Sequence, residues 1–407
     1  MRASTYALMD AGAAAALVLE RTPVLGLEEL PLAECAGRVL GADLVAHDLL
    51  PRFPASAVDG YALRSADGGG RLWVAGESAA GRPFEGVLPA GSATRILTGG
   101  VLPEGADSVV MVEDVEAGPD WVTVPDRYPS GRNFHAPGAD LQAGELILPQ
   151  GLPLGPAELG LAAAVGCARL AVFRRPRVAL MSTGDELVEV GETPGPGQIV
   201  DSNRWALNAA LVEAGVAVTR LGVAPDRPAP LRELVEHALA EHDVLVTSGG
   251  VSVGTHDLVK PLLEDLGQVH IGRVRLRPGK PFTFATLPAG RLAFGLPGFP
   301  VSSLVTFEVF VRPALRRMQG HRFLQRPTLP VRLGYEAKAA GDRTEYQRVT
   351  LRREGAELVA ETTGSQSSSR LMSLTGAHAL VRVAPGNDGI AAGTVVDAII
   401  LSLPAAE

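Results

Sequence analysis

Between Arg177 and Met318, strand-like apolar runs alternate with helix-like ones, and this limits the fold of the chain more than any other feature. Strands are predicted over 177–182, 216–222 and 243–247. Helices are predicted from Asp201 or Ser202 to about Ala214, from Pro228 to Ala240 and from Asp257 to Leu266. Further β runs at 273–277, 282–286 and 291–296 precede a helix over 300–318. Strands joined through helices need crossovers, so the pattern predicts a largely parallel sheet with helices on both faces.

The flanking segments have other textures. Tyr6 to Leu19 is Ala/Leu-rich at helical spacing and stops before Pro23, and Pro156 to Val165 resumes that style before Gly166. Between them, short apolar runs separated by Gly and Pro fill residues 46–148, which reads as an all-β module. The expected organisation is a helical linker domain from 1–45 and 149–176, an inserted β module over 46–148, an α/β domain over 177–326 and a C-terminal β-barrel over 327–407. With 47 Gly and 31 Pro in 407 residues, a chain of this length divides into several cores.

Composition excludes several classes. Two cysteines, Cys35 and Cys167, stand far apart in apolar surroundings, which rules out a disulfide scaffold and fits a reducing, cytoplasmic setting. The apolar run Ala11 to Leu19 lies between Asp10 and Glu20 and is too short for a membrane span. The net charge of −8 argues against nucleic acid as a partner. That charge is uneven: residues 1–150 carry 20 acids and 10 bases, and the remainder 25 and 27. Anionic ligands are therefore expected on the second half, where Arg273, Arg275, Arg277 and Lys280 form the densest basic group.

In open parallel sheets ligands sit beyond the carboxyl ends of the strands, so the loops there carry most of the functional signal. After the 243–247 strand comes a loop with Ser248, Gly249, Gly250, Ser252 and Gly254, a composition suited to cradling phosphate with backbone amides. The Arg277-Pro278-Gly279-Lys280-Pro281 segment is basic, and Pro297-Gly298-Phe299-Pro300 leads into a helix whose first turn carries Ser302. Glu186, Asp226 and Asp257 lie in loops of the same edge. One loop carboxylate is usually a helix cap, but several beside a phosphate cradle suggest hydrated Mg²⁺. Neither a GxxxxGK[ST] loop nor a GxGxxG opening to the first βα unit occurs, which weakens ATPase and dinucleotide readings.

The ordered set SAVDGYAL, ILTGG.LPEGADSVV, STGDEL, DSNR, TSGGVSVG..D, RPGKP, GLPGFPVS and GSQSSSRLMS runs over nearly the whole chain. It closely resembles the MoeA family, the molybdopterin molybdenumtransferases, and the related domain of gephyrin. The resemblance implies insertion of molybdate into adenylated molybdopterin, with Mg²⁺-assisted release of AMP and formation of the molybdenum cofactor. It also implies an elongated homodimer whose cleft lies between the α/β domain of one subunit and the β module of the other. Partners implied are the adenylyltransferase-step enzyme and molybdoenzyme apoproteins or their chaperones.

Matched motif by motif, Asp59, Thr98 and Asp140 fall at functional positions of the β module, and Glu186, Asp226, Asp257, Pro297 and Pro300 at those of the α/β domain. Glu186, Asp226 and Asp257 are the implied metal carboxylates. Arg277, Lys280, Ser302, Arg343 and Ser368 fall where family members hold the oxyanion. Phe299 replaces the usual Asn, and Arg277 stands where Lys is common. A molybdopterin adenylyltransferase would need the α/β domain alone. A gephyrin-type scaffold without turnover is the remaining alternative, which an activity assay decides.

Overall fold

The computed structural model describes residues 6–125, 128–251, 258–338, 341–386 and 388–404. The expectations for Ser252, Gly254 and Asp257 lie outside the described residues.

Helix α1 (Ala11–Arg21) begins at Asp10, whose carboxylate accepts from the amides of Gly12 and Ala13 and so satisfies two otherwise orphaned donors. Its buried side, Ala11, Ala14 and Val18, packs into the core of the α/β unit. Strand β1 (Leu27–Pro31) follows.

The β module is a mixed sheet of β2 (Gly60–Leu63), β3 (Gly70–Ser78), β4 (Ser92–Ile96), β5 (Ser108–Met111), β6 (Glu116–Ala117) and β7 (Trp121–Val124), in the order β5-β2-β4-β3-β7-β6. Tyr61 and Leu63 enter one small core and Ala62 another, the two-residue alternation of a strand covered on both faces.

Helix α2 (Pro156–Ala164) and strand β8 (Arg169–Phe173) come next, and β8 pairs antiparallel with β1, Leu27 opposite Phe173. Cys35, Leu40, Leu154, Ala162, Leu170 and Val172 form the core there. The chain before and after the β module thus meets through a strand pair and one helix. The two helical pieces do not share a core, because the Ala/Val stripe of α1 is buried on the α/β unit instead.

That unit runs β9 (Arg177–Thr183), α3 (Asn203–Glu213), β10 (Ala217–Ala224), α4 (Pro228–Glu241), β11 (Val244–Ser248), α5 (Val259–Leu266), β12 (Gln268–Ile271), β13 (Leu276–Arg277), β14 (Thr283–Leu287), β15 (Arg291–Leu296), α6 (Pro300–Thr306) and α7 (Arg312–Met318), with a π-helical turn at Phe307–Val311. The sheet order is β10-β9-β11-β15-β14-β12. The first four strands are parallel, β14 runs antiparallel to them, and β12, antiparallel to β14, returns to their direction. Val178 and Leu180 pack on one face of β9, Ala179 and Met181 on the other, so its continuous apolar run is buried on both sides.

One expected strand behaves differently. Of 273–277 only Leu276 and Arg277 are extended as a strand, and they do not join this sheet; Gln268–Ile271 supplies its edge. Val274 and Leu276 are buried whereas Arg275 and Arg277 face outward, and β13 is taken up by the C-terminal domain. That domain comprises β16 (Thr328–Leu333), β17 (Thr344–Glu354), β18 (Glu357–Thr362), β19 (Ala379–Val383) and β20 (Val395–Ile400). The pairings β17-β18-β16-β20-β19-β17 close it into a barrel, which leaves no free edge within the ring. β13 adds to β17 in parallel, Leu276 opposite Thr344 and Arg277 opposite Glu345.

Candidate functional site

Strands β9, β11 and β15 end level, with Ser182 opposite Ser248 and Ser248 opposite Leu296. The loops beyond them, the 277–281 segment and residues 366–369 of the barrel domain enclose a cavity of about 950 Å³. Of the residues expected at the site, Glu186, Ser248, Gly249, Arg277, Lys280, Pro297, Pro300, Ser302, Arg343 and Ser368 line it. They come from segments up to 182 positions apart, brought together by the sheet and by the barrel docked on it.

The floor requires glycine. Gly249 and Gly250 have φ of 88° and 68°, and a Cβ would lie 2.5 Å from the Thr183 carbonyl oxygen at the first and 2.6 Å from Thr183 Oγ1 at the second. The Gly249 amide donates to the Leu296 carbonyl at 3.1 Å, so it stitches two strand ends and is not free for an anion. Gly250 does not line the cavity. Among the described residues of this loop, the group available to a phosphate is the Ser248 hydroxyl, which accepts from Asn203 Nδ2 at 2.8 Å and retains its own proton to donate. The same Asn203 amide donates to Gly298 O at 2.7 Å, tying the Ser248 and Pro297 loops together.

The opposite wall is cationic. Arg277 Nε lies 3.5 Å from Oε1 of Glu345, which is only 3% exposed. Lys280 has no ion-pair partner among the described residues, and Arg343 reaches only Asp342, at 3.9 Å. Three cations with this little internal compensation leave the wall able to accept an oxyanion.

The serine segment is pinned from behind by Arg348, which is fully buried. Its Nη2 donates to Ser367 O and its Nε to Ser373 Oγ, both at 3.2 Å, and its backbone amide donates to Gln366 Oε1 at 2.8 Å. Burial pushes the Arg348 guanidinium down to about 10. Val301 N donates to Ser368 O at 3.2 Å, joining the segment to the start of α6.

Not every expected residue is gathered here. Asp226, in the turn after β10, does not line the cavity. Asp59, Thr98 and Asp140 belong to the β module and do not line it either. Asp59 Oδ1 accepts from the Thr98 amide at 2.7 Å and from Thr98 Oγ1 at 2.8 Å, and these bonds hold its carboxyl below the usual carboxylate range. Among the described residues no three His, Cys, Asp or Glu side chains stand close enough to hold a metal ion.

Four residues that shape the site carried no assignment from sequence: Asn203, Glu345, Arg348 and Gln366. Asn203 and Gln366 stand inside quoted motifs, which was the available signal. Glu345 and Arg348 are charges embedded in a buried strand, a pattern that signals special partners once burial is known.

Three family models match the chain. These are the MoeA N-terminal region (domain I and II) over residues 9–166, the probable molybdopterin binding domain over 179–317 and the MoeA C-terminal region (domain IV) over 330–401. The molybdopterin molybdenumtransferase of Haemophilus influenzae is 36% identical, over 91% of this chain and 92% of that protein. The Dictyostelium discoideum protein named gephyrin is 34% identical over 98% of this chain, which spans 63% of its length. Among solved structures, the molybdopterin biosynthesis moea protein of Pyrococcus horikosii superposes with a TM-score of 0.82 at 32% identity, covering 97% of this chain and 99% of that one.

Proposed function

Because this chain belongs to the MoeA family, we propose that it inserts molybdate into adenylated molybdopterin, releasing AMP and forming the molybdenum cofactor. The observation that carries the reading is the juxtaposition, on one cavity, of the Ser248–Gly249 strand end with the cationic wall of Arg277, Lys280 and Arg343. A substrate with phosphate at one end meets a hydroxyl donor there, and a dianionic metal oxide meets charge-assisted donors on the same cavity. Holding both reactants in one cavity removes the entropic cost of their encounter, which is the main service this chain performs.

The buried supports serve that placement. Asn203 sets the spacing of the Ser248 and Pro297 loops, Glu345 orients Arg277, and Arg348 holds Ser367 and Ser368 against α6. These are positioning residues.

Mg²⁺ belongs to the proposal as a requirement to be tested. When bound it would polarise the phosphoanhydride, and Glu186, which lines the cavity, is the implied metal carboxylate that would meet it. Among the described residues no group of three metal ligands assembles, and Asp257, one of the implied carboxylates, lies outside them. A homodimer with a shared cleft also belongs to the proposal. Its support is that Asp59, Thr98 and Asp140 lie away from the cavity of their own chain, where the partner's cavity could use them. The partners carried over from the resemblance stand on the same footing. No described helix is long and apolar enough to cross a membrane, and a cytoplasmic setting is part of this reading.

The test is incubation with adenylated molybdopterin and molybdate, with and without Mg²⁺, while AMP is followed. Molybdate-dependent AMP release supports the reading. Pterin binding without AMP release under any metal condition would leave a scaffold.

A further inference from the structure

The cavity has a wall that the anion chemistry does not use. Phe299 lines it with 59% of its surface exposed, while Leu296 and Val301 on either side are fully buried. Its backbone is held in place. Pro300 restricts the residue before it, so Phe299 is extended (φ −77°, ψ 132°), Asn203 anchors Gly298 O at 2.7 Å, and Ser303 N donates to Phe299 O at 3.0 Å. The ring itself makes no aromatic or cation contact among the described residues. Leu187, Ile199 and Val200, from a two-residue parallel strand pair, line the same cavity, and Ile199 is also largely exposed. An aromatic ring on a pinned backbone, set in an apolar lip and left uncovered, is a stacking platform.

We propose that Phe299 is a specificity-determining residue that stacks on a flat heteroaromatic ring of the ligand, while the cationic wall takes its anionic part. The inference rests on the reading above for the kind of ligand, which carries two such rings, a purine and a pterin. Both present the same π-face, so stacking by itself does not choose between them.

Calorimetric titration of AMP, of pterin and of ribose 5-phosphate into the full chain and into Phe299→Trp, Phe299→Leu and Phe299→Asn tests this without turnover. At least one ring compound should bind in the order Trp ≥ Phe > Leu > Asn, with about a tenfold loss from Phe to Asn. Ribose 5-phosphate should be indifferent to all three changes. The ring compound that follows the order identifies which ring stacks. Unchanged melting temperatures are expected, since the side chain is exposed, and they separate the effect from misfolding. Affinities for both AMP and pterin that are flat across the four proteins, or no tighter than for ribose 5-phosphate in the parent, would overturn the proposal. The two readings fail separately. A chain that shows the affinity order but releases no AMP loses the reaction and keeps the platform. One that turns over normally with flat affinities keeps the reaction and loses the platform.

Discussion

Arg277 and Glu345 face each other across the parallel pairing of β13 with β17, Nε to Oε1 at 3.5 Å, one from the α/β unit and the other from the barrel. The cavity's cationic wall is therefore oriented by a carboxylate from another domain. Removing the arginine leaves that buried carboxylate without its counter-charge. We expect Arg277→Ala to lose about 1–3 kcal/mol of stability and to raise the molybdate needed for half-maximal AMP release. Arg277→Ala/Glu345→Gln should recover most of the stability and none of the molybdate affinity. Denaturant midpoints and molybdate titrations separate the two. Recovery of both together would mean that Arg277 is only structural.

Asn203 donates from one amide nitrogen to two loops. Asn203→Ala removes both bonds and should cost about 1–2 kcal/mol in kcat/KM for AMP release, because the Ser248 and Pro297 loops lose their common tie. Asn203→Asp offers acceptors where donors are required and should be at least as damaging. A wild-type rate in both variants would show that strand pairing alone sets the loops.

His321 is half-buried beside Arg312 and Arg316, and burial followed by those charges pushes its imidazole down to about 4. The unfolded chain binds the proton near pH 6.5 and the folded chain does not until about 4. Stability from this group is therefore full above pH 6.5 and lost as pH falls through that window. The loss is on the order of 2 kcal/mol. Urea midpoints at pH 7, 5.5 and 4.5 should fall more steeply for the parent than for His321→Gln. Parallel curves would remove His321 as the cause.

Asp59 and the cationic wall belong to one cleft only if two chains share it. Asp59→Asn and Arg277→Ala/Lys280→Ala homodimers should both be inactive at limiting molybdate. In a mixed dimer one cleft collects both defects and the other none, so random re-association should restore about one quarter of parental activity. A mixture that stays inactive, with mixed dimers confirmed by mass, would place both sites within one chain or show that the defect crosses the interface.

The sequence alone determined the alternating α/β unit, the β-rich insertion and the position of most cavity residues. Helical and strand periodicities are local, and a parallel sheet sends its strand ends to one edge whatever the details of packing. The same locality explains what it left open. The 273–277 run has strand character, but which sheet claims it depends on how the barrel docks, and only the structure assigns it to Glu345 rather than to the neighbouring β14. The two Ala/Leu-rich helices look alike in sequence, yet α1 is drawn to the larger apolar surface of the α/β core while α2 caps the β1–β8 pair. In the Ser/Gly loop the Gly249 N–H is committed to Leu296 O, a partner that local sequence does not reveal, and Ser252 and Gly254 lie outside the described residues. Partners far apart in the chain decide each of these outcomes. A hydrogen bond or a buried charge is settled by what packs opposite it, and residues such as Asn203, Glu345 and Arg348 acquire their roles only when tertiary contacts bring those partners within reach.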